Sequence, residues 1–142
     1  MATVPDAIYF KDCQGRITQA NQSHARLLGI ENPLDILGKT DFDFFSKTQA
    51  RVRYEQEQQI IRTRQPLLEL EEPGSQGHWL LTTKMPLLNE HGDVVGTFGI
   101  SRDITDKKEA EFRAAEYAAE NQRLREDMDK LAVEVATGFV KD

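Results

Sequence analysis

The strongest candidate for chemistry is a lysine in the middle of a strand-like run. Lys84 lies between Thr83 and Met85 within His78 to Leu88, a stretch rich in Leu and Thr. Alternation along a strand places Leu80, Thr82 and Lys84 on one face. If that face is the inner one, an ammonium is buried, which is costly unless it is paired. Two partners are open to it. One is a carboxylate of Asp41 or Asp43, making a structural ion pair. The other is an anionic ligand, with Arg51 or Arg53 assisting. Thr82, Thr83, Thr97 and Ser101 would make the same wall mildly polar, fit for a small polar metabolite or for ordered water.

The remaining reactive groups form no recognisable constellation. His24, His78 and His91 share no metal-ligand spacing, so no metal site is expected. Asp41 and Asp43 are the nearest paired carboxylates, and an isomerase or hydrolase would have to use them. No Ser/His/Asp or Cys/His arrangement follows from the spacing, so a small-molecule enzyme is the weakest reading. The single Cys13 excludes an internal disulfide and fits a reducing compartment. Charged residues make up 30% of the 142-residue chain and the net charge is -6. That argues against nucleic acid, which needs clustered Lys and Arg. No apolar run approaches the roughly 20 residues of a membrane span, and Met1 to Asp6 is too short and polar for a secretion signal. A soluble, cytoplasmic protein, or a cytoplasmic piece of a longer one, is expected.

The elements that must position these groups can be read in order. Ala7 to Asp12 and Arg16 to Ala20 form a hairpin around Gln14-Gly15. Asn21 caps a short helix carrying Ala25, Leu27 and Leu28, and Gly29 ends it. Pro33 and Gly38 break the next stretch into short helical turns. Ser46 caps a longer helix with a partial apolar stripe of Val52, Ile60 and Ile61, which stops before Pro66. Leu67 to Glu72 reads as a strand with one wet face, and Pro73-Gly74 begins a loop. Then come the strand of Lys84, a turn at Glu90 to Asp93, and a last strand, Asp93 to Ile104. Strands, then helices, then strands argue for an α+β domain with an antiparallel sheet. In the last strand Val95, Thr97, Gly99 and Ser101 would face inward. Phe98 and Ile100 would then lie on the outer face, which Met1 to Asp6 is too short to cover in full, so a dimer contact is expected there.

A long charged helix follows at once. Ala110, Ala114, Tyr117, Asn121, Leu124, Met128, Leu131 and Val135 alternate at spacings of four and three, the a/d seam of a two-stranded coiled coil. Asp106 with Glu109 resembles a capping box, Thr105 competes as the cap, and Gly138 is a natural stop. About 32 residues make a rod of roughly 48 Å, far longer than so small a domain needs. In this frame Ala114, Asn121, Met128 and Val135 fall at a. A single Asn at a fixes a parallel two-stranded register, and Glu120 at g would meet Arg125 at e of the other chain. A parallel homodimer is therefore expected. Asp103 and Thr105, at the junction, cap the helix and set its angle to the domain.

Taken together, these pieces resemble a PAS domain of the bacterial sensory type. The likeness is carried by Tyr9-Phe10-Lys11-Asp12 with Gly15-Arg16-Ile17, by Ala20-Asn21 and Leu27-Leu28-Gly29, and by Gly38-Lys39-Thr40-Asp41-Phe42-Asp43-Phe44-Phe45. It continues through Trp79 to Leu87, Gly92 to Gly96, and Gly99-Ile100-Ser101-Arg102-Asp103-Ile104-Thr105. The resemblance implies a sensory domain at 7–105 and a coiled-coil signalling helix at 106–138. The fold would be a five-stranded antiparallel sheet with helices on one face and a pocket between them. Leu80, Thr82, Lys84, Thr97, Ser101, Arg51 and Arg53 are its candidate lining, with Asp41 and Asp43 as structural partners. It further implies a homodimer whose helix drives an output domain such as a histidine kinase, cyclase or phosphatase, in a two-component or related system. Flavin sensors of the family carry a Cys in the stretch that is here Lys39 to Arg53, which has none. Haem sensors commonly place a His on the helix that is here Ser46 to Arg64, which has none. No flavin or haem is expected. The alternative is a dimerisation scaffold with an empty pocket.

Overall fold

The first hairpin closes on a side chain. Asp12 Oδ1 accepts from the N–H groups of Gln14 and Arg16 at 3.0 and 2.9 Å, and Gly15 takes the left-handed φ of 84° that the turn requires. The structure, a computed structural model, describes residues 6–141. In it β1 (Ala7–Asp12) and β2 (Ile17–Ala20) lead into α1 (Gln22–Leu27) and two short 3-10 turns, Pro33–Ile36 and Asp41–Asp43. Then follow α2 (Lys47–Thr63), β3 (Leu67–Pro73), β4 (Trp79–Leu88), β5 (Val94–Asp103) and α3 (Thr105–Lys141). The strands form one five-stranded sheet in the order β2-β1-β5-β4-β3, and every pairing is antiparallel. The expected α+β architecture is the one observed.

Local chemistry explains the boundaries. Asn21 caps α1, its Oδ1 accepting from the N–H groups of His24 and Ile8, each at 3.0 Å, so the cap also ties α1 to β1. Ser46 Oγ accepts from Gln49 N–H at 3.2 Å to start α2. Arg64, at φ 61°, ends it two residues before Pro66. Ile17, Ala25, Leu28 and Ile36 form the apolar core, with Phe44 and Phe45 packed against it. Tyr9 faces Gly99 across the β1–β5 ladder. A Cβ on Gly99 would lie 2.3 Å from the Tyr9 ring, so only glycine lets that ring lie over β5.

Three expectations change here. Val95 is exposed rather than inward. Leu88 pairs with Val94 and Leu87 with Gly96, so Val95 is the extra residue of a bulge and leaves the alternation. Glu72, expected on a wet strand, is buried at 7% exposure. Gly138 does not stop α3, which runs on to Lys141. An exposed glycine inside a helix costs only about 1 kcal/mol relative to alanine, and each further residue adds a hydrogen bond. On the outer sheet face Ile8, Met85 and Ile100 are exposed, and Phe10 stacks on Phe98 at 5.7 Å between centroids. Residues 1–5, weighed above as cover for this face, lie outside the described residues. The chain divides into two compact units, Met1–Thr105 and Asp106–Asp142.

Candidate functional site

The inner face of the sheet is polar. Strand alternation turns Tyr9 and Lys11 of β1, Leu80, Thr82 and Lys84 of β4, and Thr97 and Ser101 of β5 inward, and all are buried. Above them α2 buries Ala50, Arg53, Glu57 and Ile60, a stripe at spacings of three and four. The expected apolar stripe is therefore corrected: Val52 is 51% exposed. The helix is rotated to bring Arg53 and Glu57 against the charges on the sheet.

Six buried charges meet between these elements. Lys11 Nζ donates to Asp41 Oδ2 at 2.7 Å and to Glu57 Oε2 at 2.8 Å. Arg53 lies 3.2 Å from Glu72 Oε1 and donates to Pro73 O at 2.7 Å, with its guanidinium 4.1 Å from the Phe45 ring centroid. Lys84 Nζ donates to Gln56 Oε1 at 2.9 Å and lies 3.6 Å from Glu72 Oε2. Lys11, Arg53 and Lys84 thus balance Asp41, Glu57 and Glu72, and the interior charge sums to zero. Burial alone would raise the Asp41 carboxyl, but the charge and hydrogen bond of Lys11, with Arg53 and Lys84 adding to them, together outweigh it and hold the group below the usual carboxylate range. Burial would likewise strip Lys11 of its proton, and Glu57 with Asp41 reverse that. For Lys84 burial wins, and its pKa is lowered despite Glu72 and Glu57.

A cavity of about 10 Å³, the room of one water, opens beside this network, lined by Tyr9, His24, Phe45, Ser75, His78 and Ser101 among others. The His24 ring packs 4.6 Å from Tyr9, and its buried Nδ1 has no hydrogen-bond partner among the described residues. Burial, with Lys11 and Arg53 adding to it against Asp41, pushes His24 down to about 4. Its folded value lies below the ordinary 6.5, so the unfolded chain takes up a proton that the folded one refuses. The resulting stability is present above about pH 6.5 and is lost as the pH falls towards 4. Urea denaturation is expected to show a loss of about 3 kcal/mol across that window. His24→Gln is expected to flatten this part of the profile, and an unchanged slope would show that His24 is not its source.

The structure places the sequence candidates unevenly. Leu80, Thr82, Lys84, Thr97, Ser101 and Arg53 lie on the interior walls, and Thr82 and Ser101 share a hydrogen bond of 2.8 Å. Arg51 is exposed on the far side of α2. Neither Asp41 nor Asp43 pairs with Lys84. Asp41 belongs to Lys11. Asp43 is exposed, and its Oδ2 accepts from Thr40 N–H at 2.9 Å in a capping box. The partners of Lys84 are Gln56 and Glu72, since the β3–β4 pairing brings Glu72 beside Leu80 on the inner side. Lys11, Glu57 and Glu72 were missed, although each had a signal. Lys11 alternates with Ala7 and Tyr9, Glu72 with Leu70, and Glu57 lies four residues after Arg53. Among the described residues no group of three or more His, Cys, Asp or Glu could hold a metal ion.

At the end of β5, Asp103 Oδ1 accepts from the N–H of Thr105 at 2.9 Å and from its hydroxyl. The bond to the first amide of α3 thus comes from Asp103. Thr105 Oγ1 in turn accepts from Trp79 N–H at 3.0 Å. Within α3 every residue of the seam, Ala110, Ala114, Tyr117, Asn121, Leu124, Met128, Leu131 and Val135, is exposed. Glu120 pairs with Arg123 of the same helix.

Known proteins resemble this chain in sequence and fold. A diguanylate cyclase of Vibrio cholerae serotype O1 is 32% identical over 104 residues, covering 70% of this chain and 32% of the cyclase. The methanogenesis regulatory histidine kinase FilI of Methanothrix harundinacea is 33% identical over 111 residues, covering 76% of this chain and 12% of the kinase. The chain therefore spans a third or less of these curated relatives. Among solved structures, the VqmA–ligand–DNA complex of Vibrio cholerae superposes with a TM-score of 0.64 at 28% identity, over 73% of this chain and 48% of that one. The family model described as PAS fold matches residues 1–109. The chain belongs to the PAS family, and its five-stranded antiparallel sheet with covering helices is that of a PAS sensory domain.

Proposed function

We propose that this chain is the input module of a signalling protein. It homodimerises and passes a change in its interior through α3 to an output domain of the cyclase, histidine kinase or phosphatase type. It acts in the cytoplasm, performs no catalysis, carries no flavin or haem, binds no nucleic acid and does not insert into a membrane. The observation that carries this reading is the unpartnered seam of α3. Tyr117, Leu124, Met128, Leu131 and Val135 are exposed by 72, 50, 69, 60 and 50%, at coiled-coil spacing, and a second copy is the partner that presents the same seam. The apolar outer face around Ile8, Met85 and Ile100 supplies a second contact between copies. Whole relatives named as a cyclase and a histidine kinase support the output, and among the described residues no helix is long and apolar enough to cross a membrane.

The sensed molecule is small and polar. Because the interior charges already balance, a neutral or zwitterionic ligand fits better than the anion considered for Lys84, which would leave a buried charge unpaired. A second reading, a dimerisation scaffold with no ligand, is favoured by the cavity of only about 10 Å³. Mass spectrometry of the denatured protein separates the two: a co-purifying small molecule supports the sensor, and its absence supports the scaffold. For the dimer, Asn121→Cys is expected to cross-link chain to chain under mild oxidation, since a parallel pair sets residue 121 opposite itself. Asn121→Val is expected to raise thermal stability while loosening register. Failure to cross-link, with a monomeric mass in solution, removes the dimer and with it the transmitting helix.

A further inference from the structure

The segment joining β3 to β4 is held at both ends. Ser75 Oγ donates to Leu27 O at the end of α1 at 2.7 Å. Gln76 and Gly77 then take φ of 58° and 76°, and the chain turns back so that His78 N–H donates to Ser75 O at 3.1 Å. His78 leaves this turn with Nδ1 3.0 Å from Asp103 Oδ2. Ser75 and His78 both line the interior cavity. The other oxygen of Asp103 holds the N–H and hydroxyl of Thr105, the first residue of α3. Thr105 Oγ1 and Trp79 N–H complete the ring at 3.0 Å, and Ile104 N–H closes on Trp79 O at 2.8 Å.

One short turn therefore touches α1, the cavity wall and the carboxylate that caps α3. Asp103 is part-exposed, its side chain 38% accessible, and left alone it would sample several rotamers. An imidazole N–H on Oδ2 selects the rotamer in which Oδ1 caps Thr105. We propose that His78 is the positioning residue through which a change in the cavity reaches the start of α3. The carboxylate is the shared element: when the cavity wall shifts His78, the cap on Thr105 weakens or tightens. This deepens the proposed role of α3 as the transmitting helix and rests on that reading.

The test uses the whole 142-residue chain and NMR. In His78→Ala the Thr105 and Trp79 amides are expected to exchange about fivefold faster or more, while the Gly99 amide in the middle of the sheet stays unchanged. His78→Asn, which keeps a side-chain N–H, is expected to restore most of the protection. The link to the cavity is read with His24→Phe, a change at another residue that lines it. It is expected to shift the Thr105 amide resonance in the wild-type background and to lose that effect in the His78→Ala background. Unchanged exchange at Thr105 in His78→Ala overturns the proposal, as does an equal effect of His24→Phe in both backgrounds. These amides report on the first compact unit whatever the mass in solution. A monomer with the expected exchange would thus remove the dimeric rod and leave the role of His78 standing.

Discussion

Lys11→Met is expected to cost about 3–5 kcal/mol at pH 7, because it leaves Asp41 and Glu57 buried with no cation between them. Both carboxylates are within 2.8 Å of the ammonium that would be lost, and Asp41 owes its low pKa to it. The sign of the pH dependence should invert. In the wild type Asp41 contributes stability that is present above its ordinary 3.8 and is lost as the pH falls through its depressed folded value. In the variant burial is opposed only by Arg53 and Lys84, so the Asp41 carboxyl rises, acidification protonates it and the deficit narrows. Adding Asp41→Asn and Glu57→Gln to Lys11→Met should recover part of the loss. Urea denaturation at pH 7 and 5 measures this; a deficit under about 1 kcal/mol, equal at both pH values, would mean that the network is not dry.

Glu72→Gln is expected to be nearly as damaging, at about 3–5 kcal/mol, because it strands two cations, Arg53 and Lys84, on one side of the interior. Lys84→Met should be mild by comparison, within about 1 kcal/mol. Met has similar volume and no charge, and Glu72 keeps Arg53 at 3.2 Å. The pH profile carries a signature of Lys84. Its folded pKa is lowered by burial, so the unfolded chain holds the proton longer. Stability then rises as the pH climbs from the depressed value towards the ordinary 10.5. That alkaline rise should be absent in Lys84→Met. If Lys84→Met instead destabilises more than Glu72→Gln, the ammonium is an asset and the charge-balance account of the interior fails.

Local chemistry made most of the architecture legible. Asn21 and Ser46 are N-caps because their side-chain oxygens reach free amides of the first turn, and that depends on a few neighbouring residues only. The order of strands and helices was readable for the same reason, as was the shared face of Leu80, Thr82 and Lys84, since alternation is a property of one strand; that this face is the inner one came from the structure. The interior charges were harder. A hydropathy pattern scores Arg53 and Glu57 as solvent-facing, so Val52 was assigned to the buried stripe in their place. Only partners distant in sequence make burial of these charges tolerable: Lys11 lies 46 residues from Glu57, and Arg53 lies 19 residues from Glu72.

By itself the sequence determined the PAS fold, through a resemblance carried by motifs in order from Tyr9 to Thr105, and it determined the heptad spacing from Ala110 to Val135 and the shared strand face of Leu80, Thr82 and Lys84, because these two are written in spacing along one element. Tertiary structure alone decided who neutralises whom. Ion pairing is set by distances across β1, α2, β3 and β4, and no local rule could prefer Glu72 over Asp43 for Lys84. Sheet register placed Glu72 beside Leu80 on the inner face, while a capping box drew Asp43 to the surface. The same holds at the junction: Asp103 and Thr105 are neighbours in the chain, but His78 reaches Asp103 only because β4 and β5 pair antiparallel and bring Leu80 opposite Asp103.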